Sequence, residues 1–200
     1  MEVLGEHLYF PANHYIAVPG DDIKYCYLVV EGRVLSLEIT EDGEEHIFNI
    51  FEPGSLFLES NVLADYPSAI YFRAIVPTEC VRVDNSCVRE AMKRDEDIMQ
   101  LIFESFASKF YSAMDRLRDH YNHGASWQVY NMLAQLAESN GKPYYENWIM
   151  IEMPMSQQFI SNMLGLNRIT ISRALKELRE KDLLMQINNK FYCIRRADAE

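Results

Sequence analysis

The sequence predicts an α+β chain built from an N-terminal β-roll, one long helix, and a C-terminal pair of helices with a β wing. Three observations carry this. Residues 9–83 hold short runs rich in β-branched and aromatic side chains, separated by Gly and Pro turns. Residues 95–121 contain neither Gly nor Pro and repeat apolar residues at near-heptad spacing. Residues 155–184 read as two helices across a glycine turn, leading into a strand pair.

In the first region, YCYLVVEG (25–32), RVLSLEIT (33–40) and EHIFNIFE (45–52) have strand length and strand composition. They are punctuated by PGDD (19–22), EGR (31–33), EDGEE (41–45) and EPGS (52–55). The EDG turn predicts a hairpin, because Asp-Gly accommodates the positive φ of a tight turn. AIYFRAIV (69–76) and TECVRVD (78–84) continue the series. Strands so spaced, with no long helix among them, predict a small barrel or roll (a double-stranded β-helix) over residues 1–94.

Over residues 95–123 the period changes. Met99, Phe103, Phe106, Phe110, Ala113, Leu117 and Tyr121 follow at gaps of 4, 3, 4, 3, 4 and 4, along a helix ~40 Å long at 1.5 Å per residue. Such a stripe packs on the chain's own barrel or on a second copy. One small barrel rarely covers that length, so Phe103, Phe106, Phe110, Ala113, Leu117 and Tyr121 are the expected homodimer interface. Ile98, Leu101 and Ile102 widen the apolar face at its start. His123-Gly124 closes the helix, glycine being the usual residue past a helix end.

Residues 124–200 make up the remainder. A helix is expected over 126–139, with Val129, Met132, Leu133 and Leu136 on one face, followed by a loop, NGKPYYENW (140–148). The strand IMIEM then leads to Pro154, and Ser156 is a good N-cap for SQQFISNML, which stops at Gly165. Asn167 caps NRITISRALKELREKD, and LLMQI and FYCI flank an NNK turn. Together these make a winged helix-turn-helix. In its second helix Ile171, Leu175 and Leu178 share an inward stripe. Arg168, Ile169, Ser172 and Arg173 face outward near the N-terminus, the end that enters a DNA major groove. Arginine grips guanine O6 and N7, and an exposed Ile169 suits a thymine methyl. Thr170, Lys176, Ser156, Gln157 and Lys190 complete the expected DNA-facing set, with Arg179 and Lys181 nearer the phosphates. A solvated charged helix explains the lysines as well, but not the exposed isoleucine.

The charge distribution agrees. The chain carries a formal net charge of -11, yet residues 156–200 hold 8 Lys+Arg against 5 Asp+Glu, a balance of +3. Counterion release depends on that local basic face rather than on the whole-chain charge. No apolar run is long enough to span a bilayer, and MEVLGEHLYF lacks the charged start and apolar core of a signal peptide, so a cytoplasmic protein is expected. Cys26, Cys80, Cys87 and Cys193 form no CxxC, so buried reduced thiols and no metal or other cofactor are expected.

A β-roll, a long dimer helix and a winged helix, in that order, resemble the cyclic AMP receptor protein/fumarate-nitrate regulator family of bacterial transcription regulators. The residues that carry the resemblance are MSQQFISNMLGLNRITISRALKELREKDLL (155–184), EGRVLSLEITEDGEEHIFNIFEPGSLF (31–57) and RDEDI (94–98). The resemblance implies a cyclic-nucleotide-binding-like roll that takes a small effector, and binding to a palindromic DNA site. Members that bind cyclic nucleotides have Gly-Glu followed by Arg-Ser-Ala or Arg-Thr-Ala; here Leu58 precedes Glu59, and Pro67 stands at the arginine position. A buried phosphodiester without that cation would lie unpaired at a cost of several kcal/mol, so an effector other than cyclic AMP is expected. In the recognition helix Ile169 replaces the family's usual glutamate, which predicts an A·T pair in place of G·C and a site rich in A/T.

Within the family the chain looks most like regulators of organohalide respiration, which implies an aromatic, halogenated effector. Lys109, between Phe106, Phe110 and Tyr111 in sequence, is the expected partner of a phenolate, with Glu59, Tyr66, Phe57 and His46 as further pocket residues. An exposed solubilising lysine fits Lys109 equally well. Tyr144, Tyr145 and Trp148 are a candidate contact for RNA polymerase. Two other readings stand beside this one: a constitutive DNA binder whose roll only dimerises, and a cupin-type metal enzyme. The second has only His7, His14 and His46 in the roll to draw on.

Overall fold

The five strand-like runs between residues 25 and 84 become β3 (Tyr25–Glu31), β4 (Val34–Ile39), β5 (Glu45–Phe51), β7 (Tyr71–Ala74) and β8 (Thr78–Asp84). These come from a computed structural model that describes residues 5–188 and 191–195, apart from the Val62 side chain. Three short strands complete the roll: β1 (Glu6–Phe10), β2 (Tyr15–Ala17) and β6 (Leu56–Phe57). They form two four-stranded antiparallel sheets, ordered β1-β8-β3-β6 and β2-β7-β4-β5. The EDG segment closes the β4–β5 hairpin, with Gly43 at φ 79 and Thr40 N–H donating to the Glu44 carbonyl at 2.9 Å. At Gly32, φ 90 and a Pro77 carbonyl oxygen 2.5 Å from any added Cβ leave no room for a side chain.

Between the sheets the core is aromatic. Phe57 is fully buried and lies against Tyr27, Phe51 and Phe72, at centroid distances of 5.0, 5.4 and 5.6 Å. Each such ring contributes about 1.5–3 kcal/mol of burial, and its stacking adds to that. Two helices in this region were not evident in the sequence: α1 (Glu59–Ala64) and α2 (Asn85–Arg94). Asp84 caps α2 by accepting from the Ser86 N–H at 2.8 Å, and Val88 anchors it in the core.

The long helix is α3 (Glu96–Asn122). Its first turns bury Ile102 and lay Ile98 against the roll core. The chain divides at Asp115/Arg116 into two compact units, so the division falls inside this helix rather than at either of its ends.

The second unit contains α4 (Ala125–Asn140), β9 (Gly141–Tyr145), β10 (Trp148–Ile151), α5 (Gln157–Leu164), α6 (Arg168–Glu180), β11 (Leu184–Ile187) and β12 (Phe191–Arg195). Its sheet is ordered β11-β12-β10-β9. The expected loop over 140–148 is corrected: its first part is β9, paired antiparallel with β10. Gly141 and Pro143 disguise it, and proline is tolerated because β9 is an edge strand. The role of Gly124 also differs. It sits at φ -71 and is the N-cap of α4, not a left-handed helix stop.

Three of the four cysteines are buried as expected, but Cys87 is exposed on α2. Burial pushes the thiols of Cys26 and Cys80 up to about 12. At neutral pH a thiol-reactive dye is therefore expected to label Cys87 rapidly and the other three only on unfolding. Peptide mapping after a short pulse checks this, and early labelling at Cys26 would contradict the packing.

Candidate functional site

In the roll, the site is built where α1 begins. Leu58 holds φ 64, a left-handed conformation that favours glycine, and its side chain is buried nonetheless. That turn sends Glu59 inward until it is only 1% exposed. Ser105 Oγ, from α3, donates to Glu59 Oε1 at 3.0 Å, and the Lys109 ammonium donates to the same oxygen. Lys109 Nζ also donates to Ser105 Oγ at 3.1 Å and lies 5.4 Å from the Phe51 ring centroid. Glu59 Oε2 has no hydrogen-bond partner among the described residues. Burial pulls the Lys109 ammonium below the usual lysine range, and Glu59 opposes that pull.

In front of Lys109 opens a cavity of about 330 Å³. Its α3 wall is Leu101, Glu104, Ser105, Ser108, Lys109 and Ser112, facing Asn49–Phe51 and Gly54–Leu56. The aromatic surroundings expected for Lys109 are corrected. Phe106, Phe110 and Tyr111 are exposed and none lines the cavity. On a helix the residues one and two places on from Lys109 point about 100° and 200° away from it. Nor do the other candidates reach the cavity. Phe57 is sealed in the core, Tyr66 is exposed, and His46 sits on β5 opposite Glu38. The serines and Glu104 were missed. The one available signal was serine recurring at 105, 108 and 112, on the side of the helix away from its apolar stripe.

The loop before β7 matters by what it lacks. Asn61 Nδ2 donates to the Tyr66 and Pro67 carbonyls, at 3.2 and 3.1 Å. The buried Ser68 hydroxyl donates to the Ile70 carbonyl at 2.7 Å. Its proton is committed to the chain itself.

In the second unit, Ser156 Oγ accepts from Phe159 N–H at 3.0 Å, and Gly165 takes the left-handed φ 65 that stops α5. Asn167 Oδ1 accepts from Thr170 N–H at 2.9 Å and starts α6. Ile171, Ala174, Leu175 and Leu178 are buried, each of the larger three contributing about 1.5–3 kcal/mol. Ile169 is 66% exposed, between the exposed Arg168 and Arg173. Neither arginine has a hydrogen bond or ion pair among the described residues. The later cations are engaged: Lys181 with Glu177 at 2.6 Å, Lys176 with Glu180 at 3.7 Å, and Arg179 Nε on the Leu175 carbonyl at 3.1 Å. Ser156, Gln157, Thr170 and Ser172 lie on or beside the same helix starts, and Lys190 lies outside the described residues.

Comparison with known proteins fits both halves. The cyclic nucleotide-binding domain family matches residues 7–95, and the Crp-like helix-turn-helix domain family matches residues 128–199. The chain belongs to the CRP/FNR family. Among CRP/FNR relatives, the global nitrogen regulator of Nostoc sp. is 24% identical over 88% of this chain and 79% of its own length. The cAMP-activated global transcriptional regulator Vfr of Pseudomonas aeruginosa is 21% identical over 88% and 83%. FixK2 from Bradyrhizobium japonicum superposes with TM-score 0.80 at 24% identity, covering 96% of this chain and 93% of that one. CprK complexed with OCPA superposes with TM-score 0.73 at 25% identity, covering 96% and 86%. This CRP/FNR chain is thus a transcriptional regulator with an effector-binding type of roll and a DNA-binding helix-turn-helix, and its relatives are regulators rather than enzymes. No helix among the described residues is long and apolar enough to cross a membrane.

Proposed function

We propose that the protein is a homodimeric regulator that reads a palindromic, A/T-rich DNA site through the tip of α6 and is gated by a small effector other than cyclic AMP. One observation carries the DNA-reading part: an exposed isoleucine flanked by two arginines that have no partner among the described residues. Groups held ready at a recognition-helix N-terminus lose nothing internal when they turn to base edges. Selection from a random duplex pool tests it. Enrichment of a two-fold site with half-sites about 34 Å apart is the expected result, and no enrichment overturns it.

The homodimer rests on α3, where Met99, Phe103, Phe106, Phe110, Leu117 and Tyr121 are all exposed along one stripe. So long an apolar stripe left in water is the mark of an interface. Phe110→Asp is expected to leave a monomer at micromolar concentration, seen by light scattering. An unchanged dimer would move the interface elsewhere.

For the effector, Pro67 and the committed Ser68 hydroxyl argue against a cyclic phosphate. A halogenated aromatic is one candidate from the sequence resemblance, with the CprK–OCPA complex as the structural likeness on that side. Kinship with that subgroup, location in the cytoplasm, and contact of the exposed Tyr144 and Tyr145 with RNA polymerase belong to the same proposal. One observation favours a constitutive binder instead: Lys109 is already paired within the chain. Equal DNA affinity with and without cell extract would support that second reading.

A further inference from the structure

The cavity wall on α3 is electrically polarised. At 100° per residue, its members run around the helix from Glu104 through Ser108, Leu101, Ser112 and Ser105 to Lys109, an arc of about 140°. A carboxylate therefore stands at one edge and an ammonium at the other, with three hydroxyls between them. The apolar stripe proposed for the dimer lies on the far side of the same helix, so a second copy leaves this wall open.

The charges decide what the wall can hold. Lys109 and the buried Glu59 cancel one another, and Glu104 adds a negative charge. A purely anionic ligand would leave the Glu104 carboxylate at the rim without a counter-charge. A purely cationic one would leave the ammonium facing an unfilled space. The ammonium spends two of its three N–H groups on Glu59 Oε1 and Ser105 Oγ, so one remains for a ligand acceptor. Among the described residues Glu104 receives one bond, from Gln100 Nε2 at 2.6 Å, and a carboxylate accepts several. About 330 Å³ is the liquid volume of roughly eleven waters, which suits a ligand of amino-acid size.

We infer that the cavity binds a small zwitterion, its carboxylate on Lys109 and the serine hydroxyls and its ammonium on Glu104. This rests on the reading of the roll as an effector domain and deepens it. The two groups lie five residues apart along α3, so the ligand's charges are separated by a spacer.

The test uses the full-length protein and the series of unbranched ω-amino acids from glycine to 6-aminohexanoate. Each is compared with the carboxylic acid that lacks its amine and the amine that lacks its carboxylate, by titration calorimetry. At least one amino acid is expected to bind, with its acid and its amine each at least tenfold weaker. Glu104→Gln, at an exposed position, is expected to erase the preference over the acid. Because Lys109 supports Glu59, its role is read in the double variant Glu59→Gln/Lys109→Gln, which is expected to erase the preference over the amine. No binding by any amino acid, or an acid that binds the unaltered protein as tightly as its amino acid, overturns the inference. If a chlorinated phenol binds instead and depends on Lys109, the zwitterion fails while the effector cavity stands. If neither variant changes the response to any ligand, the cavity itself fails.

Discussion

Replacing Arg173 by alanine is expected to weaken binding to the selected DNA site by about 1–3 kcal/mol, roughly 5- to 150-fold, while affinity for random DNA changes little. The fold has no stake in this side chain. Arg173 is exposed and bonded to nothing among the described residues, and α6 is held by its Asn167 cap and by Ile171, Ala174, Leu175 and Leu178. The loss therefore reads recognition and not folding, and an unchanged melting temperature confirms that. The alternative, a phosphate contact, has a different signature. It would weaken all sequences alike and reduce the salt slope of binding by about one. Ile169→Glu supplies the complementary test. Glutamate accepts from cytosine N4 where isoleucine packs on a thymine methyl, so the preferred pair at one position should change from A·T to G·C. A site preference untouched by both substitutions would show that α6 does not read bases.

The recognition helix was legible because everything that shapes it is local. Cap, glycine stop and apolar spacing lie within a few residues of one another, and burial of Ile171, Leu175 and Leu178 follows from the 3.6-residue period. The strands around the EDG and EGR turns were legible for the same reason. β9 was not, since a short edge strand with Gly141 and Pro143 has turn composition, and only pairing with β10 makes it a strand. The cavity was half legible. Lys109 and Glu59 were both singled out, yet nothing local joins residues 50 positions apart, and the pairing arises because α1 and α3 meet over the roll. Phe110 and Tyr111 are not neighbours of Lys109 in the cavity because adjacency in a helical sequence is not adjacency in space, and Phe106, one turn back, is turned out to solvent.

That pairing gives the second large effect. Lys109→Met is expected to destabilise the protein by about 3–5 kcal/mol, because it leaves Glu59, 1% exposed, with the Ser105 hydroxyl as its one remaining donor among the described residues. The Lys109 side chain is 26% exposed, so water offsets part of its own desolvation but does not reach the carboxylate. Glu59→Gln should cost less, since an amide buries no charge and leaves an ammonium that can turn toward the cavity. The double variant Glu59→Leu/Lys109→Met removes both charges, and it should recover most of the loss or exceed the original stability, as buried ion pairs replaced by apolar side chains commonly do. Urea unfolding of the parent, Lys109→Met, Glu59→Leu and the double variant closes the cycle, with a coupling energy well above that of a surface pair, which is about 0–1 kcal/mol. A Lys109→Met variant as stable as the parent would mean that water enters behind the lysine, and that Glu59 is not the buried anchor that fixes one end of the cavity.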